Sequence, residues 1–385
     1  MKQLNFEFYD TFECIGSDCP DTCCRGWGIT VDDSTAQIYH NTKGAFGERL
    51  KKSITETDGK FYIRLKKDGQ CPLLSKDNLC EVYRHLGPDK MCDTCKVYPR
   101  FSWYHGDVLF QGLTLSCPEV ARIMLSHHDS IIFEFAEAEN IVATSPTQSW
   151  SLFNTLIGGM ITSVRIMQNR DFSIFTRLRL LVSFNDMLQQ ALDSENDEEC
   201  QILLNAFSDT VQLSILSQEV SESQTNLVSL FTFVLNFYKN ISSLSVSSYV
   251  RSYIEHLPKT MAFCNSLLSK PLPEDFLDDV STDSYEIYYE NYAVYYLTRY
   301  YMNVYEKEGN LNKIIANFIY LFCLHRIFAF GIFHEKNERL NLDDLIPIFT
   351  GISRFLEHNS LNPNRLYEIF SDLDMTDNTF LFSLI

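Results

Sequence analysis

Cys14-Ile15-Gly16-Ser17-Asp18-Cys19-Pro20-Asp21-Thr22-Cys23-Cys24-Arg25-Gly26-Trp27-Gly28-Ile29 places four thiols within eleven residues. Thiolates are soft ligands, and clustered thiolates are the usual means by which a chain captures zinc or an iron–sulfur cluster. The pattern continues outward from this stretch. Cys71-Pro72-Leu73-Leu74 and Cys80-Glu81-Val82-Tyr83 follow, then Cys92-x2-Cys95 with Tyr98-Pro99-Arg100, then Ser116-Cys117-Pro118. Nine of the twelve cysteines thus lie in the first 117 residues. Cys200, Cys264 and Cys323 stand singly in apolar segments and read as packing.

Three uses of clustered cysteine compete: metal or cluster ligation, a disulfide framework, and inert buried thiols. The N-terminal Met1 to Asp10 has neither an apolar h-region nor a cleavage site, so it does not read as a secretory signal. Disulfide frameworks belong to small secreted domains, whereas 385 residues can build a large core without staples. Ligation is therefore the leading reading, with Cys14, Cys19, Cys23, Cys24, Cys71, Cys80, Cys92, Cys95 and Cys117 as candidate ligands. Cys-x2-Cys lets two thiolates converge on one ion. Nine thiols exceed one tetrahedral site. Either two sites exist, or one exists and the surplus thiols pack around it. Adjacent Cys23 and Cys24 point in different directions in most backbone conformations, so they do not read as ligands of one metal atom.

Residues 1–125 show little helical periodicity. Short strand-like pieces (Phe61 to Leu65, Val108 to Phe110) lie among turn signals such as Asp58-Gly59 and Asp68-Gly69. A domain this irregular needs a metal to hold it. From residue 145 to 385 the apolar residues fall at helical spacing. Helices are expected over 150–167, 173–192, 199–216, 226–240, 247–268, 285–306, 311–333 and 342–359. The fold class read from this is mainly α: a small, irregular, cysteine-rich, metal-bound N-terminal domain (1–125) on a large α-helical body (145–385).

The net charge is −18, with the acidic excess almost wholly beyond residue 120. That excludes general nucleic-acid binding, which needs a basic face. It suits solubility or a docking surface for a lysine-bearing partner. The most apolar stretch, 314–333, is interrupted by Asn317, His325 and Arg326, and reads as a buried helix rather than a membrane span. The radical-type Cys-x3-Cys-x2-Cys is absent because Gly26 stands at its last position. No dinucleotide, Walker or nucleophile-elbow motif appears.

Phe12-x-Cys14-Ile15-Gly16-Ser17-x-Cys19-x3-Cys23-Cys24-x-Gly26-Trp27-x-Ile29 resembles the N-terminal signature of the flagellin lysine-N-methylases. The resemblance runs through the later cysteine motifs to Glu290-Asn291-Tyr292, His325-Arg326-x-Phe328-Ala329-x-Gly331 and Arg354-x2-Glu357-His358-Asn359. The cysteine part alone also resembles a broader group of zinc- or iron-chelating cysteine-cluster proteins. What the flagellin-methylase resemblance implies is S-adenosylmethionine-dependent N-methylation of lysine ε-amines on flagellin, in the bacterial cytosol before export. It also implies dependence on a 4Fe–4S cluster held by the motif cysteines, with zinc as the alternative metal. Peripheral membrane association and homo-oligomers belong to the same picture. No nucleic acid is expected.

Methyl transfer to lysine requires loss of the ammonium proton. Glu290, His325, Arg326, Glu357 and His358 are the weak catalytic candidates, each with a structural alternative as a capping or ion-pair group. A buried Arg326 needs an anionic partner, either a structural carboxylate or the cofactor's. Arg25 and Trp27, beside the double cysteine, either cover the cluster or contact the cofactor. The tyrosines from Tyr285 to Tyr301 either line a channel for a methylated cation or form a packing face. The rival functions are a non-catalytic zinc-structured interaction protein and an iron-chelating or electron-transfer protein. Colour and metal content separate zinc from iron–sulfur.

Overall fold

Alternation in Lys2–Phe6 buries Leu4 and Phe6 on one face, and this strand (β1) is the hinge of the first sheet. In the computed structural model β1 pairs in parallel with β6 (Val108–Leu113) and antiparallel with β7 (Phe133–Glu137). Strand β5 (Arg100–His105) completes the order β5-β6-β1-β7. The structure describes residues 2–106, 108–137, 149–221, 226–240, 244, 283–307, 309–336, 340–357 and 362–385. The second sheet is smaller, in the order β2 (Thr30–Val31), β4 (Lys60–Ile63), β3 (Ile54–Thr57). Its β3–β4 hairpin turns on Asp58 and Gly59, both at positive φ (51° and 72°), as the Asp-Gly signal predicts.

The helical body follows the periodicity closely. Trp150–Met167, Ile174–Asp193, Leu227–Asn240, Leu311–Lys336 and Leu342–Glu357 match their expected spans within a few residues. Two expected helices are split. The first becomes Asp197–Ala206 and Thr210–Ser221, because the Asp209 carboxylate accepts from the Val211 and Gln212 amides and starts a new helix. The second becomes Asp283–Tyr300 and Asn303–Lys307. The helix expected over 247–268, with Cys264, lies outside the described residues.

Helix Leu311–Lys336 runs through the middle of the body and packs on Ile174–Asp193, Leu342–Glu357, Asn362–Ser371 and Asn378–Leu384. Among the described helices it is long and apolar enough to cross a membrane, yet 83% of that stretch is buried inside the molecule. It is a core helix. The tyrosines of Asp283–Tyr300 form a packing face. Tyr285, Tyr289, Tyr292, Tyr295 and Tyr296 are buried, and Tyr289 and Tyr292 lie against Phe322 and Phe349 at 5.0 and 5.4 Å. Their hydroxyls are used internally, Tyr296 donating to the Ile314 carbonyl at 3.1 Å.

Two apolar cores result. The large one unites the helical body with β1, β6 and helix Pro118–Leu125. The small one runs from Ile29 to Cys92 and contains Val31, Tyr39, Leu50, Ile63, Leu73, Leu74 and Val82. The cores therefore do not part at residue 125. The parallel pairing of β1 with β6 ties both ends of the N-terminal region to the body, and only the segment between them forms a separate lobe.

Candidate functional site

Cys71 and Cys92 are buried in the small core, and Cys24, Cys80 and Cys95 pack against it. Backbone contacts set these thiols in place. The Cys71 amide donates to the Cys24 carbonyl at 2.8 Å, and Arg25 bridges Gln70 antiparallel. Gly26 and Gly69, joined by an amide–carbonyl bond of 3.0 Å, both sit at positive φ, which only glycine adopts without strain. The loop from Leu74 to Cys80 closes on Ser75, whose hydroxyl donates to the Leu79 carbonyl at 2.7 Å. The Cys92-x2-Cys95 turn is anchored from β2: the Asp93 amide donates to Asp32 at 3.1 Å and the Thr94 hydroxyl to the Thr30 carbonyl at 2.9 Å.

Three cysteines stand at the N-caps of short helices: Cys80 before Glu81–Leu86, Cys92 before Asp93–Val97, and Cys117 before Pro118–Leu125. None of the three caps its helix with a side-chain hydrogen bond. Backbone N–H groups two or three residues on still lower the thiols electrostatically: Leu73 at Cys71, Val82 and Tyr83 at Cys80, Cys95 at Cys92, and Glu119 and Val120 at Cys117. Such donors favour the thiolate that a metal requires. Burial opposes it, pushing Cys71 and Cys117 up to about 12. Cys23 and Cys24 act on each other, Cys24 being lowered to about 7 by its neighbour and Cys23 raised. Cys92 and Cys95 act on each other in the same way, Cys92 being lowered and Cys95 raised.

Cys14 is exposed, Cys19 and Cys23 are half-buried, and Cys117 belongs to the large core. The body reaches them through Arg354, a buried residue of helix Leu342–Glu357. Its Nε donates to the Ser116 carbonyl at 3.0 Å and its guanidinium pairs with Asp21. The Ser116 hydroxyl meets Tyr98 at 3.1 Å, and the Tyr98 ring lies 5.5 Å from Trp27. Trp27 donates to the Cys23 carbonyl at 2.7 Å. Asn291 closes the other end of helix Pro118–Leu125 by donating to the Met124 and His127 carbonyls, each at 2.8 Å. Asp21, Ser116 and Tyr98 were not singled out from the sequence as site residues. Their signal is adjacency to cysteine, which spacing alone does not turn into contact.

Nine thiols of this kind and number suit a thiolate-ligated zinc or iron–sulfur centre. Among the described residues no three Cys, His, Asp or Glu side chains already converge as ligands of one ion. All nine cysteines are free thiols. Cys200 and Cys323 are buried singly in the body, as packing predicts.

The remaining candidates lie in the helical body. Both carboxylate oxygens of Glu290, 1% exposed, accept from Arg170, and Arg177 donates to Glu290 at 2.8 Å and pairs also with Glu286. That is the geometry of a structural ion-pair network. His325 donates from Nδ1 to the Leu321 carbonyl at 2.7 Å and stacks on Phe349 at 4.2 Å; burial lowers it to about 3. Arg326 lies over Phe175 and Phe322, 4.6 and 5.6 Å from the ring centroids. Of the described buried arginines it alone has no hydrogen-bond or ion-pair partner among the described residues, and its Nη1 is an orphan donor. A buried guanidinium in that state suits an incoming carboxylate. Among the described residues no hydrogen bond or ion pair joins Glu290, His325 or Arg326 to the nine thiols. The Glu357 side chain and His358 lie outside the described residues.

The family of the FliB lysine N-methylase C-terminal domain matches residues 161–384. A protein named lysine-N-methylase from Salmonella choleraesuis is 22% identical over 386 residues, covering 94% of each chain. A second lysine-N-methylase, from Salmonella typhimurium, is 25% identical over 59% of this chain and 60% of its own. The flagellar biosynthetic protein FliU of Salmonella muenchen is 32% identical over 140 residues, which span 34% of this chain and 83% of FliU. No solved structure matches. With the family match extending over more than half its length and through the helical body that holds Arg326 and Arg354, the chain belongs to the FliB lysine N-methylase family.

Proposed function

We propose that this protein transfers methyl groups from S-adenosylmethionine to the ε-amines of lysines on flagellin, and that the cysteine lobe carries an iron–sulfur centre, with zinc as the alternative. The observation that carries the reading is the family match over residues 161–384, extended by a similarity to a lysine-N-methylase along 94% of the chain. The flagellar name of the FliU relative supports flagellin as the substrate. S-adenosylmethionine, when bound, supplies an electrophilic methyl group. An iron–sulfur centre, when bound, supplies one-electron chemistry.

The chain's own contributions follow from its charges and its packing. The −18 net charge attracts lysine-rich surfaces. Arg326 is the residue we assign to the cofactor's carboxylate, because its buried cation lacks an anion among the described residues. Arg354 ties the thiol-bearing region to helix Leu342–Glu357, which packs on the helix that carries Arg326. A cytoplasmic location, with peripheral membrane association and self-assembly, is part of the same proposal.

Co-expression with a cognate flagellin tests it. Intact-mass spectrometry is expected to show flagellin carrying additional methyl groups on lysine. Arg326→Ala is expected to lower methylation more than Arg354→Ala, with melting temperatures measured alongside to discount unfolding. Unmodified flagellin in the presence of folded, metal-loaded protein overturns the proposal in favour of electron transfer or metal chelation. Equal loss in the two variants overturns the assignment of Arg326.

A further inference from the structure

Strand β5 (Arg100–His105) lies at an outer edge of the four-stranded sheet, with β6 as its sheet neighbour. The register shows which of its backbone groups face outward. The Thr114 amide donates to the Pro99 carbonyl at 2.9 Å, so Pro99 and Thr114 form a hydrogen-bonded pair. Bonded and non-bonded pairs alternate along an antiparallel ladder. Phe101 stands opposite Gly112, Trp103 opposite Phe110 and His105 opposite Val108, so these three bond to β6. Arg100, Ser102 and Tyr104 therefore turn their amides and carbonyls to the outside. Among the described residues no backbone hydrogen bond reaches those groups.

Open edges are normally blunted by lysine, proline, a bulge or brevity. Strand β5 uses none of these. It runs six residues in unbroken register, and its arginine is turned inward, donating to the Tyr9 and Phe12 carbonyls at 3.2 and 2.9 Å. The strand is also braced from behind. Phe101 lies across Gly112, where a Cβ would stand 2.6 Å from the ring. The Arg299 guanidinium lies over Phe101 and Trp103, 4.0 and 5.0 Å from the ring centroids. Arg299 belongs to helix Asp283–Tyr300, so the edge is fixed to the helical body while its outer side stays open. Trp103 and Tyr104, on opposite faces of the strand, are 39% and 40% exposed.

We propose that β5 is the docking edge for the protein substrate, an extended lysine-bearing segment of flagellin adding to it as a further strand. The proposal rests on the lysine-methylase reading and locates where its protein substrate is held. An extended backbone is the ligand that a row of outward amides and carbonyls recognises, and the side chains flanking the edge then select sequence. Two exposed aromatic rings suit lysine, whose stem packs on a ring and whose ammonium is drawn to its face. Charge separates this occupant from a second copy of the chain. Each copy carries −18, which opposes the pairing of like with like and favours a cationic segment. The edge also adjoins the thiol-bearing region, since β5 starts two residues beyond Tyr98, which meets the Ser116 hydroxyl beside Cys117.

Ser102→Pro in the full chain is the discriminating variant. It removes an outward amide and no ladder bond, a place where edge strands accept proline. Flagellin binding is expected to weaken about tenfold, through the lost main-chain hydrogen bond and the ring that blocks the edge. The KM for flagellin is expected to rise more than kcat falls. Ser102→Lys leaves the backbone intact and sets a cation at the edge. It is expected to act in the same direction, and it carries the test where the proline variant does not fold. In the wild type, amide hydrogen exchange over residues 100–104 is expected to slow when flagellin is added. Unchanged binding in both variants, or unchanged exchange with flagellin bound, overturns the inference. A wild-type dimer that either variant dissociates, with no change in exchange on adding flagellin, overturns it in favour of self-pairing. Flagellin methylated equally by wild type and variants sinks the docking edge and keeps the function. Flagellin that protects β5 and is never methylated sinks the function and keeps the docking edge.

Discussion

The lobe between Ile29 and Cys95 and the helical body from Trp150 onward are built on opposite terms. Among the described residues the lobe's core has twelve buried members, two of them cysteines, and its helices are short. The body's core runs through helices of 18, 20 and 26 residues and is filled with stacked aromatics such as Phe233, Tyr320 and Phe370. A core as small as the lobe's supplies little net stability, which is why domains of that size recruit a metal. The body has area enough to fold on burial alone. The difference teaches that one chain joins a small-core lobe, the part the proposed metal would hold, to a body with a large core of its own, where Arg354 crosses to Asp21 and Ser116.

Metal removal tests this contrast most directly and carries the largest expected effect. After chelation, residues 29–95 are expected to be cut rapidly by protease while 150–221 stay protected. Equal digestion of both regions breaks the comparison.

Arg177→Ala probes the body's own support. Arg177 and Glu290 are each 1% exposed, and removing one member of a buried pair costs about 3–5 kcal/mol. Denaturant unfolding is expected to show that loss with metal content unchanged. If metal falls with it, the two regions are not independent.

Arg354→Ala and Asp21→Asn address the seam. Their double-mutant cycle is expected to give a coupling of about 1–3 kcal/mol, since the pair is mostly buried and shares Ser116 as a neighbour. Purely additive effects remove the seam contact from the account.

His325 gives the most specific signal, read as a slope of stability against pH. Its folded value is lowered to about 3 by burial, below the ordinary histidine range, so the unfolded chain binds the extra proton first as pH falls. Stability is therefore complete above about pH 6.5 and is lost progressively from there towards pH 3, by up to about 1.4 kcal/mol per pH unit. Replacing His325 with Gln is expected to flatten that slope in calorimetric melts taken between those limits. An unchanged slope assigns the acid sensitivity to other groups.

Most of the helical body was legible from periodicity, because burying one stripe of each helix leaves a 3.6-residue signature whatever the partner is. Where the reading erred it missed caps. Asp209 ends one helix and starts the next through hydrogen bonds that apolar spacing does not register. The buried tyrosine face was legible in the same way, its hydroxyls being satisfied by backbone such as the Ile314 carbonyl.

The sequence by itself determined the chemistry: nine soft donors near one end, an acidic helical remainder, and an arginine embedded in the apolar helix. It also carried the motifs that mark the family. Only the tertiary structure decided which thiols keep company. The parallel pairing of Lys2–Phe6 with Val108–Leu113 carries Cys117 away from the lobe and into the body's core. It likewise decided that Arg354 crosses to Asp21, while Arg326 is left without an anion among the described residues. The grouping of the thiols depends on contacts between residues far apart in the chain, and local spacing encodes only neighbours along it.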